Sequence, residues 1–222
     1  MKITKVLRQL LVPACLLLSV AAAVAQPFSR DIAAFKKEDS LHFPAPHQIL
    51  LIGSSSFTRW GDVQEYFPSY QILNRGFGGS TLPDQLRYIN EIVFPYQPRQ
   101  IIIYCGENDV ASADSITGEV VLRRFKELFY AIREEMPKVP VAFISMKPSP
   151  SRQMALDRFR AGNAAIKAFL KKQKRTAFID VYKEMIDGEG KPLADLFVED
   201  NLHMNKKGYA IWQRIMEPYL KK

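Results

Sequence analysis

The chain has 222 residues, 47% of them hydrophobic and 24% charged, a composition typical of an ordinary globular protein. This length suits one substantial domain and is short for two. The formal net charge is +8, but Lys2, Lys5 and Arg8 precede the first apolar run. Without them, the chain has 28 basic and 23 acidic residues, which gives a net charge of +5. This excess of positive charge is too small to indicate nucleic-acid binding.

The first 25 residues have the pattern of an export signal. A basic start is followed by an apolar run over residues 10 to 24, which ends in small side chains. We therefore expect a secretory signal peptide cut after Ala25 and a mature protein in the periplasm or outside the cell. A membrane anchor is the alternative, but the run is short for one and contains Pro13. Cleavage would leave Cys105 as the only cysteine, so we expect no internal disulfide.

Apolar runs of strand length alternate with amphipathic helical patterns along the rest of the chain. The predicted strands are residues 49–52, 71–73, 101–105, 139–146 and 177–181. The predicted helices, which follow the third, fourth and fifth strands, are residues 120–136, 154–170 and 206–220. Such alternation indicates parallel βαβ units and a sheet covered on both faces. We predict one α/β domain over residues 48–222, preceded by a short polar helix and an extended connector in residues 26–47.

Four groups of polar or glycine residues stand where the strands of such a sheet end or just before the last helix. They are Gly53-Ser54-Ser55-Ser56, the run of residues 74–81 that contains Gly79, Gly106-Glu107-Asn108-Asp109, and Asp200-Asn201-Leu202-His203. Open α/β sheets bind ligands in the crevice at the carboxyl ends of their strands. The four groups are therefore candidates for one shared site.

Together, these groups contain the parts needed for acyl transfer through serine. That chemistry needs a hydroxyl, an imidazole base, a carboxylate that orients the imidazole, and donors for the developing oxyanion. Ser55 could supply the hydroxyl, and one loop could present both Asp200 and His203 to it. The N–H of Gly79 and the carboxamide of Asn108 are possible oxyanion donors.

Each group also has a simpler interpretation. Ser54 or Ser55 could cap the following helix, and Asn108 could be a turn residue. The glycine-rich run could be a tight turn, or could hold phosphate, although the lysine of a P-loop is missing. A Gly-x-Ser-x-Gly nucleophile elbow fits badly, because Phe57 occupies its last position. The three histidines and two cysteines show no metal-ligand spacing, so we predict no metal and no organic cofactor.

The combination of all four groups resembles the SGNH, or GDSL-type, serine hydrolases. The family's Gly-Asp-Ser block matches residues 53–55, with Ser54 in place of aspartate, and its glycine block matches the run ending in Gly79. Its Gly-x-Asn-Asp block matches residues 106–109 in full, and its Asp-x-x-His block matches residues 200–203 in full. The resemblance extends from about residue 48 to the end, and is strongest to the branch that resembles platelet-activating-factor acetylhydrolases.

The resemblance implies a three-layer α/β/α fold with a five-stranded parallel sheet in the order 2-1-3-4-5. It implies Ser55 as the nucleophile, His203 as the base and Asp200 as its orienting carboxylate. The oxyanion donors would then be Ser55, Gly79 and Asn108. The sheet order would bring the ends of the first three strands together at the topological switch point.

The activity that the resemblance implies is hydrolysis of an ester without a metal or cofactor, and it does not fix the substrate. We expect acetyl or other short acyl esters, because no apolar stretch is left over to form a lid or a long acyl groove. The substrate would be a small ester or an acylated carbohydrate or lipid. Three alternatives use the same fold: an acyltransferase, a lysophospholipase- or lipase-like enzyme for longer acyl chains, and a non-catalytic glycan- or lipid-binding module.

Overall fold

The computed structural model describes residues 26–222, so the proposed export segment lies outside the described residues. The five strands of its sheet are β1 Ile49–Gly53, β2 Ile72–Asn74, β3 Gln100–Tyr104, β4 Val141–Ile144 and β5 Thr176–Ile179. All neighbouring strands are parallel, and their order is β2-β1-β3-β4-β5. The predicted fold class and strand order are confirmed.

The helices lie on both faces of this sheet. They are α1 Ser29–Leu41, α2 Ser55–Thr58, α3 Val63–Tyr66, α4 Leu82–Arg87, α5 Ile89–Ile92, α6 Glu107–Ser112, α7 Gly118–Glu135, α8 Leu156–Leu170 and α9 Lys206–Met216. Short 3₁₀ turns cover Phe94–Tyr96, Pro150–Ala155, Tyr182–Met185, Ala194–Leu196 and Glu217–Tyr219. Within residues 26–222, none of the helices has the length and apolar character needed to cross a bilayer.

Several elements are shorter than the sequence predicted. The apolar run at residues 139–146 gives only four strand residues. Pro140 precedes β4, where it has no N–H for a ladder. Beyond β4, the Ser145 hydroxyl accepts the backbone N–H groups of Val181 and Tyr182, which follow β5. The last helix ends at Met216 because the chain continues into a 3₁₀ turn that contains Pro218.

Two apolar cores cover the two faces of the sheet. Successive side chains of a strand point to opposite faces, so Leu50 and Ile52 of β1 belong to one core and Ile49 and Leu51 to the other. The first core includes the buried faces of α4, α5, α7 and α8, and the second includes those of α2, α3 and α9. Because β1 is buried on both faces and paired on both edges, its sequence is a continuous apolar run.

Arg75, directly after β2, fastens α1 to this domain. Its side chain is only 3% exposed and contacts the carboxylates of Glu38 at 3.1 Å and Asp39 at 2.5 Å. The Arg75 Nε also donates to the Tyr96 hydroxyl at 2.9 Å, and burial raises the pKa of Tyr96 to about 12. The N-terminal helix therefore packs against the body of the domain through a buried cation.

The end of β1 leads to a prediction about stability. Gly53 has φ of +146°, and a Cβ atom there would lie 1.9 Å from the Tyr104 carbonyl oxygen. The Ser54 N–H donates to that same oxygen at 3.0 Å, so neither group can move away freely. We expect Gly53→Ala to lower the free energy of unfolding by about 3 kcal/mol or more in urea unfolding experiments.

Gly61→Ala is the matched control, because a Cβ at Gly61 meets nothing within 4 Å. Its free energy of unfolding should stay within about 1 kcal/mol of the wild type. Equal urea midpoints for the two variants would show that the close approach at Gly53 does not constrain the fold.

Candidate active site

Ser55 is the first residue of α2 and lies just beyond the end of β1. Its Oγ is 3.0 Å from Nε2 of His203, which comes from the loop before α9. Ser54 occupies the N-cap position of α2, but its side chain makes no capping hydrogen bond. The simpler interpretation of this serine run as a helix cap is therefore not what the structure shows.

Asp200 holds the imidazole of His203 in position. Its Oδ2 is 2.6 Å from His203 Nδ1, while its Oδ1 accepts the backbone N–H groups of Leu202 and His203, both at 2.9 Å. These hydrogen bonds, chiefly the one with the His203 side chain, hold the pKa of Asp200 well below its usual range. An ionised carboxylate at Nδ1 favours a proton on that nitrogen and leaves Nε2 as the acceptor toward Ser55.

The loop that presents Asp200 and His203 is braced at its base. Phe197 and Met204 form an isolated antiparallel bridge, and the Val198 N–H donates to the His203 carbonyl at 2.8 Å. At the tip, Asn201 adopts φ of +55°, a conformation that asparagine tolerates better than most side chains. One short hairpin-like loop therefore supplies both groups, as their spacing in the sequence predicted.

Gly79 lies in the exposed turn after β2, with φ of +82°. In the described part of the chain, no backbone carbonyl accepts the N–H of Gly79 or of Ser55. Ser80 stabilises this turn, because its hydroxyl donates to the Phe77 carbonyl at 2.7 Å. The neighbouring Gly78 lies close to the nucleophile candidate, since a Cβ there would be 3.8 Å from the Ser55 Cβ.

Asn108 lies in the first turn of α6, beyond β3. Its Nδ2 donates to the Ser80 carbonyl at 3.0 Å and to the Ser54 hydroxyl at 3.2 Å. Both N–H bonds of the carboxamide are therefore engaged, and the bond with Ser54 is the longer one. To donate to a substrate oxygen, Asn108 has to share or release one of these two bonds.

Asp109, the last residue of the Gly-x-Asn-Asp block, has a different environment. It is fully buried, accepts the Leu82 N–H at 3.0 Å and pairs with Arg124 of α7 at 2.8 Å. Burial raises the pKa of Asp109, although both of these partners oppose the shift. Asp109 therefore ties α6 to the start of α4 and to α7, a role that was not apparent from the sequence.

Phe28 also lies near the site, although the sequence analysis gave residues 26–47 no functional role. Its ring edge is 3.8 Å from the position that a Cβ of Gly79 would take, and its ring packs against Phe77 with centroids 5.2 Å apart. Tyr88 adds a hydrogen bond from its hydroxyl to the Pro27 carbonyl. No pattern near Phe28 in the sequence signals this contact, because its partners lie on distant parts of the chain.

Of the five residues that the sequence singled out, Ser55, His203 and Asp200 form a continuous series of contacts. Asn108 contacts Ser54 and Ser80, the chain neighbours of Ser55 and Gly79. The chemical roles of these five residues remain predictions. Within residues 26–222, no three histidine, cysteine or carboxylate side chains are grouped so that they could hold a metal ion.

Comparison with known proteins identifies the family model that fits this chain. Residues 52–211 match the GDSL-like Lipase/Acylhydrolase family, a span that includes all four sequence blocks. No curated protein matches the chain.

Solved structures share the fold at low sequence identity. A candidate platelet activating factor from Streptococcus pneumonia is 19% identical, with a TM-score of 0.75, over 86% of this chain and 92% of that one. A GDSL-like lipase from Bacteroides thetaiotaomicron is 22% identical, with a TM-score of 0.73, over 85% and 96%. A variant of an acetyl-xylooligosaccharide esterase from Geobacillus Stearmophilus is 13% identical, with a TM-score of 0.63, over 80% and 96%. At these identities the likeness concerns the fold, not the substrate.

The geometry leads to a prediction that separates two adjacent serines. Ser55→Ala removes the hydroxyl that lies 3.0 Å from His203 and should lower kcat for a short-chain chromogenic ester by about 10⁴-fold or more. Ser54→Ala removes only the longer of the two acceptors of Asn108, and should lower kcat by less than about tenfold.

The two variants change the same residue type at neighbouring positions, so each is the control for the other. Urea unfolding of both should stay close to that of the wild type. If Ser54→Ala abolished activity while Ser55→Ala kept it, the assignment of the nucleophile would be wrong by one residue.

Proposed function

Because the chain belongs to the GDSL-like lipase/acylhydrolase family, we propose that it is an exported serine esterase that removes acetyl or other short acyl groups from an ester. The observation that carries this proposal is the unbroken series of contacts from Ser55 Oγ through the His203 imidazole to the Asp200 carboxylate. The export part of the proposal rests on the signal-like pattern of residues 1–25.

In the first step, Ser55 Oγ attacks the carbonyl carbon of the ester, and its proton passes to His203 Nε2. The imidazolium that forms is stabilised by Asp200, 2.6 Å from Nδ1. The lowered pKa of Asp200 keeps this carboxylate ionised at every pH at which imidazole normally titrates.

The carbonyl oxygen acquires negative charge in this step and needs donors in place before it forms. No backbone carbonyl in residues 26–222 accepts the N–H of Ser55 or of Gly79, so both are available to this oxygen. Asn108 supplies the third donor when its bond to the Ser54 hydroxyl yields to the stronger acceptor, since hydrogen bonds to a charged oxygen exceed those to a neutral hydroxyl.

The intermediate then collapses in the usual sequence for a serine esterase. The bond between the carbonyl carbon and the alcohol oxygen breaks, and His203 gives its proton to the departing alcohol. Water attacks the acyl group on Ser55 while His203 accepts a proton from it. The bond between the acyl carbon and Ser55 Oγ then breaks, His203 returns its proton to Oγ, and the carboxylic acid leaves, so the cycle consumes only the ester and one water molecule.

The surroundings of Ser55 support a preference for short acyl groups. The described grooves with apolar linings lie elsewhere, such as the one of about 340 Å³ lined by Phe178 and Tyr182. Near the site, the edge of the Phe28 ring lies 3.8 Å from the position that a Cβ of Gly79 would take. Each methylene buried on binding contributes about 0.8 kcal/mol, a gain that a long acyl tail would lack without an apolar groove at Ser55.

The proposed preference for short acyl groups can be tested by varying the length of the acyl chain. For acetyl, butyryl, octanoyl and palmitoyl esters of one alcohol, kcat/KM should be highest for acetyl or butyryl. It should be at least about tenfold lower for octanoyl, because the longer tail finds no apolar surface. The measurement is initial-rate kinetics on the mature protein, with Ser55→Ala run in parallel to subtract uncatalysed hydrolysis. A steady rise from acetyl to palmitoyl would favour a lipase-like activity and contradict the short-chain proposal.

A further inference from the structure

Lys147 follows β4 and is 1% exposed, although it has no part in the proposed chemistry. A buried ammonium group is costly unless other groups compensate its charge. The Lys147 Nζ lies 3.2 Å from each carboxylate oxygen of Glu107, which is also buried. The Tyr104 hydroxyl donates to the same carboxylate, and the Phe197 ring centroid lies 5.7 Å from Nζ.

Glu107 connects the buried pair to Asn108, the proposed oxyanion donor. Glu107 is the first residue of α6 and directly precedes Asn108. With its carboxylate held between the Lys147 ammonium and the Tyr104 hydroxyl, the first turn of α6 cannot shift without breaking these bonds. The position of the Asn108 carboxamide is therefore tied to the buried pair.

Phe197, whose ring lies near the Lys147 ammonium, connects the buried pair to His203, the proposed base. Phe197 bridges Met204, which directly follows His203 in the chain. A second link reaches the same loop, because the segment that begins at Lys147 continues to Ser151, whose N–H donates to the Asn201 carbonyl at 3.1 Å.

We propose that the Lys147–Glu107 pair positions Asn108 and His203 relative to each other, so that donor and base act on the same ester carbonyl. Both members are positioning residues, and neither contacts substrate. The inference rests on the proposed esterase function. An error of about 1 Å in the placement of a reacting group can cost about 100-fold in rate.

A purely structural role is the competing explanation, and general energetics allow the two to be separated. Replacing a buried ion pair by apolar residues of similar volume is often neutral or stabilising, whereas removing one partner is strongly destabilising. Stability alone therefore does not require the pair. If the pair exists for positioning, an apolar replacement should keep the fold and lose rate.

The test uses the double variant Lys147→Met with Glu107→Leu in the full mature chain. Urea unfolding should give a midpoint close to that of the wild type, while kcat for a short-chain ester should fall by about 10- to 100-fold. KM should change by less than about threefold, because the oxyanion contact is made in the transition state. A folded double variant with wild-type kcat would overturn the inference.

The rate loss caused by the double substitution can also be measured in an Asn108→Ala variant. A purely structural role predicts the same loss with and without Asn108. If the pair acts through Asn108, the double substitution should cost much less rate there than in the wild type. Equal losses in both backgrounds would contradict positioning of Asn108. Should the double variant fail to fold, Lys147→Met with Glu107→Gln, which leaves no unpaired buried charge and keeps the volume of residue 107, takes its place in the same two backgrounds with the same expected outcome.

The control is the exposed pair formed by Lys191 and Glu189, whose charged atoms lie 2.8 Å apart. Its apolar replacement, Lys191→Met with Glu189→Leu, should leave kcat unchanged. An inactive wild type would contradict the proposed esterase function. An active wild type together with an unimpaired double variant would contradict the positioning role alone.

Discussion

The close approach of Gly53 to the Tyr104 carbonyl is the constraint on which the candidate site depends. Only a residue without a Cβ fits at this end of β1, and the Ser54 N–H then donates to the same carbonyl. The chain turns directly from β1 into α2, so the Ser55 hydroxyl stands at the edge of the sheet. Because β1 lies between β2 and β3, the turns that carry Gly79 and Asn108 leave on its two sides. Asn108 then contacts the Ser54 hydroxyl at 3.2 Å, next to the proposed nucleophile.

Two carboxylates near the carboxyl ends of the strands, Asp200 and Asp109, have pKa values that their surroundings shift in opposite directions. Asp200 is in an exposed loop, and hydrogen bonds with His203 and Leu202 lower its pKa. Asp109 is fully buried, and the loss of water raises its pKa despite the pairing with Arg124. A carboxylate that has to stabilise an imidazolium needs the first environment, while one that only joins loops tolerates the second. The sequence presents both as aspartates near glycine or asparagine and does not distinguish them.

Much of the fold could be predicted from sequence because its strands are buried on both faces. The run at residues 49–52 is continuous and apolar for this reason, and the strand order followed from the family resemblance. Within the site, the contact between Asp200 and His203 was predictable because the two residues are close in the chain. Contacts between distant segments carry no periodic signal, so the pairing of Lys147 with Glu107 and the position of Phe28 beside Gly79 were not predictable.

Covalent labelling can decide whether Ser55 carries the acyl group. A fluorophosphonate reacts with an activated serine and leaves an adduct that water does not remove, so peptide mass spectrometry can locate it. We expect one labelled position, Ser55, with labelling strongly reduced in His203→Ala, which loses the neighbour 3.0 Å from Ser55 Oγ. An adduct on Ser54 or Ser56, or ester hydrolysis by a protein in which no serine is labelled, would contradict it.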